Sequence, residues 1–201
     1  MRLFDNPASP FCRKVRVVLH ETGQTDDVEI VKVMASPSNP DKDNTAQNPL
    51  GKIPTLARSD GPAIYDSRVI CRYLDAISGG KLYPEGRIWE VLTLEATADG
   101  IMDAAVLMVY EARFRPEEIR SAEWTEAQWG KVSRALDAIE ARWMSHLHGR
   151  LDAAQIAVGC ALGYLDFRHG NRDWRGTRPG LAAWYSEFAA RPSMEATVPP
   201  A

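Results

Sequence analysis

The sequence predicts a small α/β domain followed by an all-helical domain, and three observations carry that reading. Short β-rich runs alternate with amphipathic helical stretches as far as about Ile77. Residues 79–87, with Gly79, Gly80, Pro84 and Gly86, have the composition of a linker. Beyond Tyr83 the chain carries long helical periodicities and no convincing strand. Residues 1–78 are therefore assigned to the first domain and 88–201 to the second.

Each element has a local cause. Arg2 to Phe4 is a short apolar strand, and Ser9-Pro10 opens a helix as N-cap and first helical residue, running to about Thr22 before Gly23. Val28 to Val33 is β-rich, and the polar loop Ser36 to Asn48 is expected to hold one short helical turn. Thr55–Arg58 and Pro62–Tyr65 read as a hairpin about Ser59-Asp60-Gly61. Asp66 then caps a helix through Ile77, so the predicted order is β-α-β-α-β-β-α. In the second domain, helices are expected over Ile88–Phe114, Thr125–Leu147, Ala153–Phe167 and Pro179–Ala190. Ala153 to Leu165 is apolar on nearly every side, which predicts a central helix, and Asp152 with Gln155 forms a capping box at its start. In the first long helix, Leu94, Ala98, Ile101, Ala105 and Met108 make one stripe. Its flanking apolar residues widen the stripe to roughly 160°. That fits a helix buried in its own domain, or one shared with a second subunit or a ligand cleft.

Composition removes several classes of function. With 201 residues, 45% hydrophobic and 25% charged, the chain can bury a core without metal or disulfides. A net charge of -3 and the lack of a basic stripe argue against a nucleic-acid partner. No signal-peptide pattern is read, and no apolar run approaches the roughly 18 residues of a membrane span. Three widely spaced cysteines (Cys12, Cys71 and Cys160) read as free thiols in the cytoplasm. His20, His146, His148 and His169 lack partners at ligand spacing, so no metal site is expected.

Chemistry is concentrated in three places. Ser9-Pro10-Phe11-Cys12 sits between a strand and a helix, the layout of a thioredoxin-type C-x-x-C site with its first cysteine replaced. Without that first sulfur the site should not cycle as a dithiol. A hydroxyl at a helix N-terminus can instead donate to another molecule's thiolate, although the same residues also suit an ordinary cap. Cys12 is expected to point inward as a structural thiol. In Asn48-Pro49-Leu50-Gly51-Lys52-Ile53-Pro54, the proline precedes a strand where thioredoxin-like folds hold a cis bond. Such a bond would turn the Ile53 backbone toward an extended peptide, and Lys52 would meet a carboxylate. A trans proline at a strand start and a solvated lysine fit the same spacing. Asp66-Ser67 is either a simple N-cap or a pocket for an amino-acid head, with helix N–H groups for its carboxylate and Asp66 for its ammonium.

A ligand touching all three would present a thiol, a peptide backbone and an amino-acid head in that order, the parts of glutathione. At this point the chain resembles the glutathione transferase superfamily along nearly its whole length. The residues that carry the resemblance are S-P-F-C-R-K-V, N-P-L-G-K-I-P, the Y-D-S helix opening, the D-A-A-Q-I-A capping box and Leu181 to Phe188 running into Arg191-Pro192-Ser193. Within the superfamily it is similar to bacterial members with an S-P-F-x-R-K loop. The resemblance implies a thioredoxin-like domain, a helical domain and a homodimer. It implies Ser9 as the thiolate-binding residue with Phe11 beside it, Ile53 at the cysteinyl backbone and Pro54 as the cis proline. Lys52 would take the glycyl carboxylate, and Asp66 and Ser67 the γ-glutamyl group.

The function expected from these residues is conjugation of reduced glutathione, as co-substrate, to an electrophilic small molecule, a detoxification chemistry. A glutathione-binding protein of the same fold with little turnover, or a glutathione-dependent isomerase, dehalogenase or peroxidase, would use the same site. Met102, Val106, Tyr110 and Phe114 are possible walls for the electrophile, and their periodicity is equally that of core.

Overall fold

The computed structural model describes residues 1–34 and 36–200. The chain divides into two compact units, Met1–Gly86 together with the segment from Pro192 onward, and Arg87–Arg191.

In the first unit, strand β1 (Arg2–Asp5) is central, with β2 (Glu29–Lys32) parallel on one side and β3 (Thr55–Ala57) antiparallel on the other. Leu3, Phe4 and Asp5 of β1 are all buried, as expected of a strand covered on both faces. Helices α1 (Pro10–Glu21), α2 (Lys42–Gln47) and α3 (Ser67–Ile77) complete the alternation, and α1 packs on α3. Gly23, at φ +70°, ends α1 in a conformation that glycine alone adopts without strain.

The expected second arm of the hairpin shrinks to one bridge, Leu56 with Ile64, whose N–H and C=O groups exchange two bonds of 2.9 Å. Pro62 has no N–H to extend the ladder, and its carbonyl takes a bond from Arg58 Nε at 3.0 Å. The sheet is accordingly three-stranded.

Among the described residues, no strand follows β3. The second unit holds α4 (Ile88–Phe114), α5 (Ala122–Arg142), α6 (Met144–Leu147), α7 (Ala153–His169) and α8 (Pro179–Ala189). The predicted stripe of α4 is buried throughout, and α4 packs on α5 and α7. Every residue from Ala153 to Leu165 in α7 is buried, and the capping box is formed in both directions. No helix among the described residues is long and apolar enough to cross a membrane.

Two boundaries differ from expectation. The helix predicted over Thr125–Leu147 starts earlier, where Ser121 Oγ accepts from Trp124 N at 3.1 Å, and breaks at Trp143. Beyond the break, tertiary donors take the carbonyls: Gln155 Nε2 reaches those of His146 and Leu147 at 3.0 Å each, and Trp184 Nε1 that of Leu147 at 2.9 Å. The sequence assigns residues 88–201 to the helical domain, whereas the segment from Pro192 groups with the first unit. Buried Arg13 explains it, donating from Nη2 to the Met194 carbonyl at 3.0 Å and from Nε to Thr197 Oγ1 at 3.4 Å. This segment includes a short helix, α9 (Pro192–Glu195), which rests on α1.

Candidate functional site

Strand register gathers the three predicted stretches. Phe4 pairs with Thr55 across β1 and β3, so Pro54, the next residue out, lies beside Asp5 at the end of β1 that leads to Ser9. Leu56 pairs with Ile64 in the antiparallel sense, so the chain from Ile64 to Asp66 climbs toward the same end. Ser9, Ile53-Pro54 and Asp66-Ser67 therefore share one edge of the first unit.

Ser9 is half-buried with extended backbone (φ −82°, ψ 125°), and its Oγ accepts from Cys12 N at 3.3 Å. The preceding turn is braced by Asn6, whose Nδ2 donates to the Val33 carbonyl at 2.9 Å and whose Oδ1 accepts from Ala8 N at 3.0 Å. Phe11 is half-buried, one residue into the helix.

Cys12 is fully buried. Burial first, then the neighbouring Asp5 charge, pushes its thiol up to about 12, against the opposing pull of hydrogen bonds from Ser9 and the Asn6 backbone and of the Arg16 charge. Asp5 is itself raised by burial, opposed by Arg16, whose Nε lies 3.2 Å away, and by Cys12. The three cysteines are unpaired with one another and buried. Native protein at pH 8 is expected to react with a water-soluble disulfide reagent more slowly than urea-unfolded chain, by about two orders of magnitude or more. Labelling of Cys12 at the unfolded rate would show an accessible nucleophile and remove Ser9 from the central role.

The Ile53–Pro54 bond is cis. Ile53 is half-buried, Pro54 is buried and Lys52 exposes its side chain. The Lys52 carbonyl is pinned by Asn44 Nδ2 at 3.2 Å, Asn48 Nδ2 at 3.0 Å and Thr55 Oγ1 at 3.0 Å. Asn44, Asn48 and Thr55 are all buried, so they fix the loop's backbone without using the Lys52 ammonium.

Asp66 is the N-cap of α3, its side chain accepting from Arg68 N at 3.0 Å, and Ser67 behind it is buried. The Tyr65–Asp66 bond is also cis. Asp66 pairs with the Arg68 guanidinium at 2.9 Å. Burial pulls its pKa upward, but the bonds and charge of Arg68, with Lys14 farther off, hold the carboxyl below its ordinary value. It is thus a carboxylate at neutral pH, set beside the first-turn N–H groups of α3.

Sequence reasoning gave no role to several residues here. Arg13 and Lys14 of the R-K pair are both buried, 4% and 1% exposed, and the Lys14 charge is felt at Asp66. An adjacent basic pair flanked by the core residues Cys12 and Val15 was the available signal. Of the residues considered as electrophile walls, Met102 is core, whereas Tyr110 and Phe114 are 38% and 40% exposed with rings edge to face at 5.2 Å. Among the described residues, no cluster of three or more His, Cys, Asp or Glu is placed to hold a metal ion.

Fold and edge together define a thioredoxin-like unit joined to a helical one, and known proteins share both. The family model described as "Glutathione S-transferase, N-terminal domain" matches residues 8–77, and "Glutathione S-transferase, C-terminal domain" matches residues 122–187. The uncharacterized GST-like protein YibF of Escherichia coli (strain K12) is 33% identical, over all of this chain and 99% of its own length. A glutathione transferase family member from Pseudomonas fluorescens Pf-5, crystallised with bound glutathione, is 50% identical with a TM-score of 0.97, covering 100% of this chain and 99% of that one. A second Pseudomonas fluorescens Pf-5 structure, with bound S-(propanoic acid)-glutathione, is 48% identical with a TM-score of 0.93 and covers all of both chains. The chain belongs to the glutathione S-transferase family.

Proposed function

We propose that this protein conjugates reduced glutathione to an electrophilic small molecule, with the Ser9 hydroxyl stabilising the thiolate. The observation that carries the reading is the pairing of a half-exposed Ser9 with a fully buried, protonated Cys12. That position offers a hydrogen-bond donor and no nucleophile of its own. A thiol of pKa near 8.5 is only about 3% ionised at pH 7. Lowering that pKa by two units takes about 2.7 kcal/mol of preferential thiolate binding. A hydrogen bond to a charged acceptor supplies roughly 1.5–3 kcal/mol, and the α1 N-terminus adds perhaps a further 0.3–1.

The rest of the tripeptide follows the shared edge. The Ile53 backbone, turned by Pro54, pairs with the cysteinyl backbone as an added strand. Phe11 packs beside the ligand, and Lys52, whose ammonium is free of the bonds that hold its carbonyl, takes the glycyl carboxylate. The α3 N-terminus and Ser67 receive the γ-glutamyl carboxylate, with Asp66 at its ammonium. For that contact Asp66 shares its charge between Arg68 and the ligand. The S-(propanoic acid)-glutathione held by the Pseudomonas fluorescens relative is an S-alkylated form, the kind of thioether this reaction makes. A homodimer in the cytoplasm completes the reading, three buried cysteines outside any disulfide suiting a reducing compartment.

Retention on immobilised glutathione, followed by rates with a panel of aryl halides, epoxides and α,β-unsaturated carbonyls, tests the proposal. Retention with saturable conjugation is the expected result. Retention without turnover on any electrophile identifies a binding protein, and absence of retention by folded protein removes glutathione from the account.

A further inference from the structure

We propose that the ion pair of Asp5 and Arg16, buried beneath Ser9, sets how acidic the thiol of bound glutathione becomes. The inference rests on the reading of Ser9 as donor to a thiolate and adds a second layer of residues behind it. Asp5 ends β1 and is 2% exposed. Arg16 lies in α1, and its Nε approaches Asp5 Oδ1 to 3.2 Å. Neither of those two atoms makes a hydrogen bond, so the contact between them is one of charge. The same guanidinium donates from Nη2 to the Pro7 carbonyl at 3.3 Å, in the turn that leads to Ser9.

Both charges reach the start of α1. Cys12 N donates to Ser9 Oγ at 3.3 Å, and the thiol of Cys12 is pushed up by the Asp5 charge and pulled down, less strongly, by that of Arg16. A sulfur held by Ser9 at the same helix start lies in the same field. Asp5 disfavours a negative charge there and Arg16 favours it, so each offsets the other. Asp5 has a use of its own, as acceptor for the Cys12 thiol. Arg16 lets that carboxylate stand under the site without suppressing the thiolate. The other charged groups along this edge are engaged or turned to water. Asp66 pairs with Arg68, Arg13 holds the Met194 carbonyl, the Lys14 charge is felt at Asp66, and Lys32 and Lys52 are exposed.

Thiolate absorbance of bound glutathione, titrated against S-methylglutathione as the blank, reads the pKa in each variant. Asp5→Asn leaves the Arg16 charge without its counterpart and should lower the thiol pKa by about 0.5–1 unit. Arg16→Gln leaves the carboxylate alone and should raise it by about as much. The double variant carries neither charge and should lie within about 0.3 unit of the unaltered protein. Loosened packing would weaken the Ser9 donor and raise the pKa in all three, so a fall on losing a carboxylate is the outcome that a purely structural pair does not give. Retention on immobilised glutathione shows that each variant is folded. Should Asp5→Asn fail to fold, Arg16→Gln decides, its side chain being 16% exposed: its pKa must rise, and Arg16→Lys, which keeps the charge, must reverse that rise. An unmoved or raised pKa in folded Asp5→Asn overturns the proposal, and so does a double variant displaced as far as either single one. No thiolate signal from the unaltered protein removes the Ser9 reading along with it, whereas a clear signal with the wrong signs removes the role of the pair alone.

Discussion

Replacing Ser9 with alanine is expected to return the thiol of bound glutathione most of the way to its solution pKa, the α1 N-terminus keeping the rest, and to slow conjugation at pH 7 by up to about 25-fold. The size follows from ionisation alone: a thiol of pKa about 6.5 is roughly three-quarters thiolate at pH 7, and one of 8.5 about 3%. Affinity for glutathione should change little, because the backbone of Ile53 and the start of α3 remain. Ultraviolet absorbance of the bound thiolate, titrated from low to high pH, reads the pKa directly, and Ser9→Thr should restore most of the shift. The alanine variant also loses the cap on α1, at a cost of about 1 kcal/mol in stability. Chemical denaturation separates that loss from the catalytic one. An unmoved pKa with unmoved turnover would take the donor role away from Ser9.

The largest stability effect is expected at Asp152, in the helical unit. Its buried carboxylate accepts from Ala154 N at 3.0 Å, Gln155 N at 3.2 Å and Arg87 Nη2 at 3.2 Å. His146 Nε2 lies 2.8 Å away, off the line of a hydrogen bond. Asp152→Ala removes the cap of α7 and leaves Arg87 without its anion. A lost cap accounts for 0.5–2 kcal/mol, and a broken buried pair for more, about 3–5 kcal/mol. Arg87, at 43% side-chain exposure, can turn to water, which brings the expected total to about 2–4 kcal/mol. Asp152→Asn keeps an N-cap oxygen and should lose about half as much. Denaturation midpoints, with amide exchange along α7, measure both variants. A loss below 1 kcal/mol for the alanine variant would show that the rest of the helix start holds without it.

What the sequence made legible was local chemistry with strong periodicity. The span Ile88–Phe114 emerges as α4 unchanged, because its stripe and its ends are both marked in the residues themselves. The Asp152–Gln155 box and the glycine after α1 were equally visible. The break at Trp143 was not, because no proline or glycine marks it, and of the side chains that take the carbonyls of His146 and Leu147 beyond it, Trp184 lies far along the chain. Pro62 marked the shortened hairpin arm, but turn residues alone looked sufficient for a full one. In the candidate site, the order of Ser9, Pro54 and Asp66-Ser67 could be read, and their convergence follows from register. The side chains that brace them could not: Asn44 and Asn48 act through one carbonyl, and Asp5 and Arg16 meet beneath Cys12 without any pattern in spacing.

The bond from Arg13 to the Met194 carbonyl spans 181 positions of sequence. Arg13 belongs to the helix that Ser9 caps, and its partners are the last part of the first unit to be synthesised. During translation these contacts cannot form until the ribosome has made the whole helical unit and gone past Thr197. The helix nearest the chemistry is among the first to emerge and among the last to be locked.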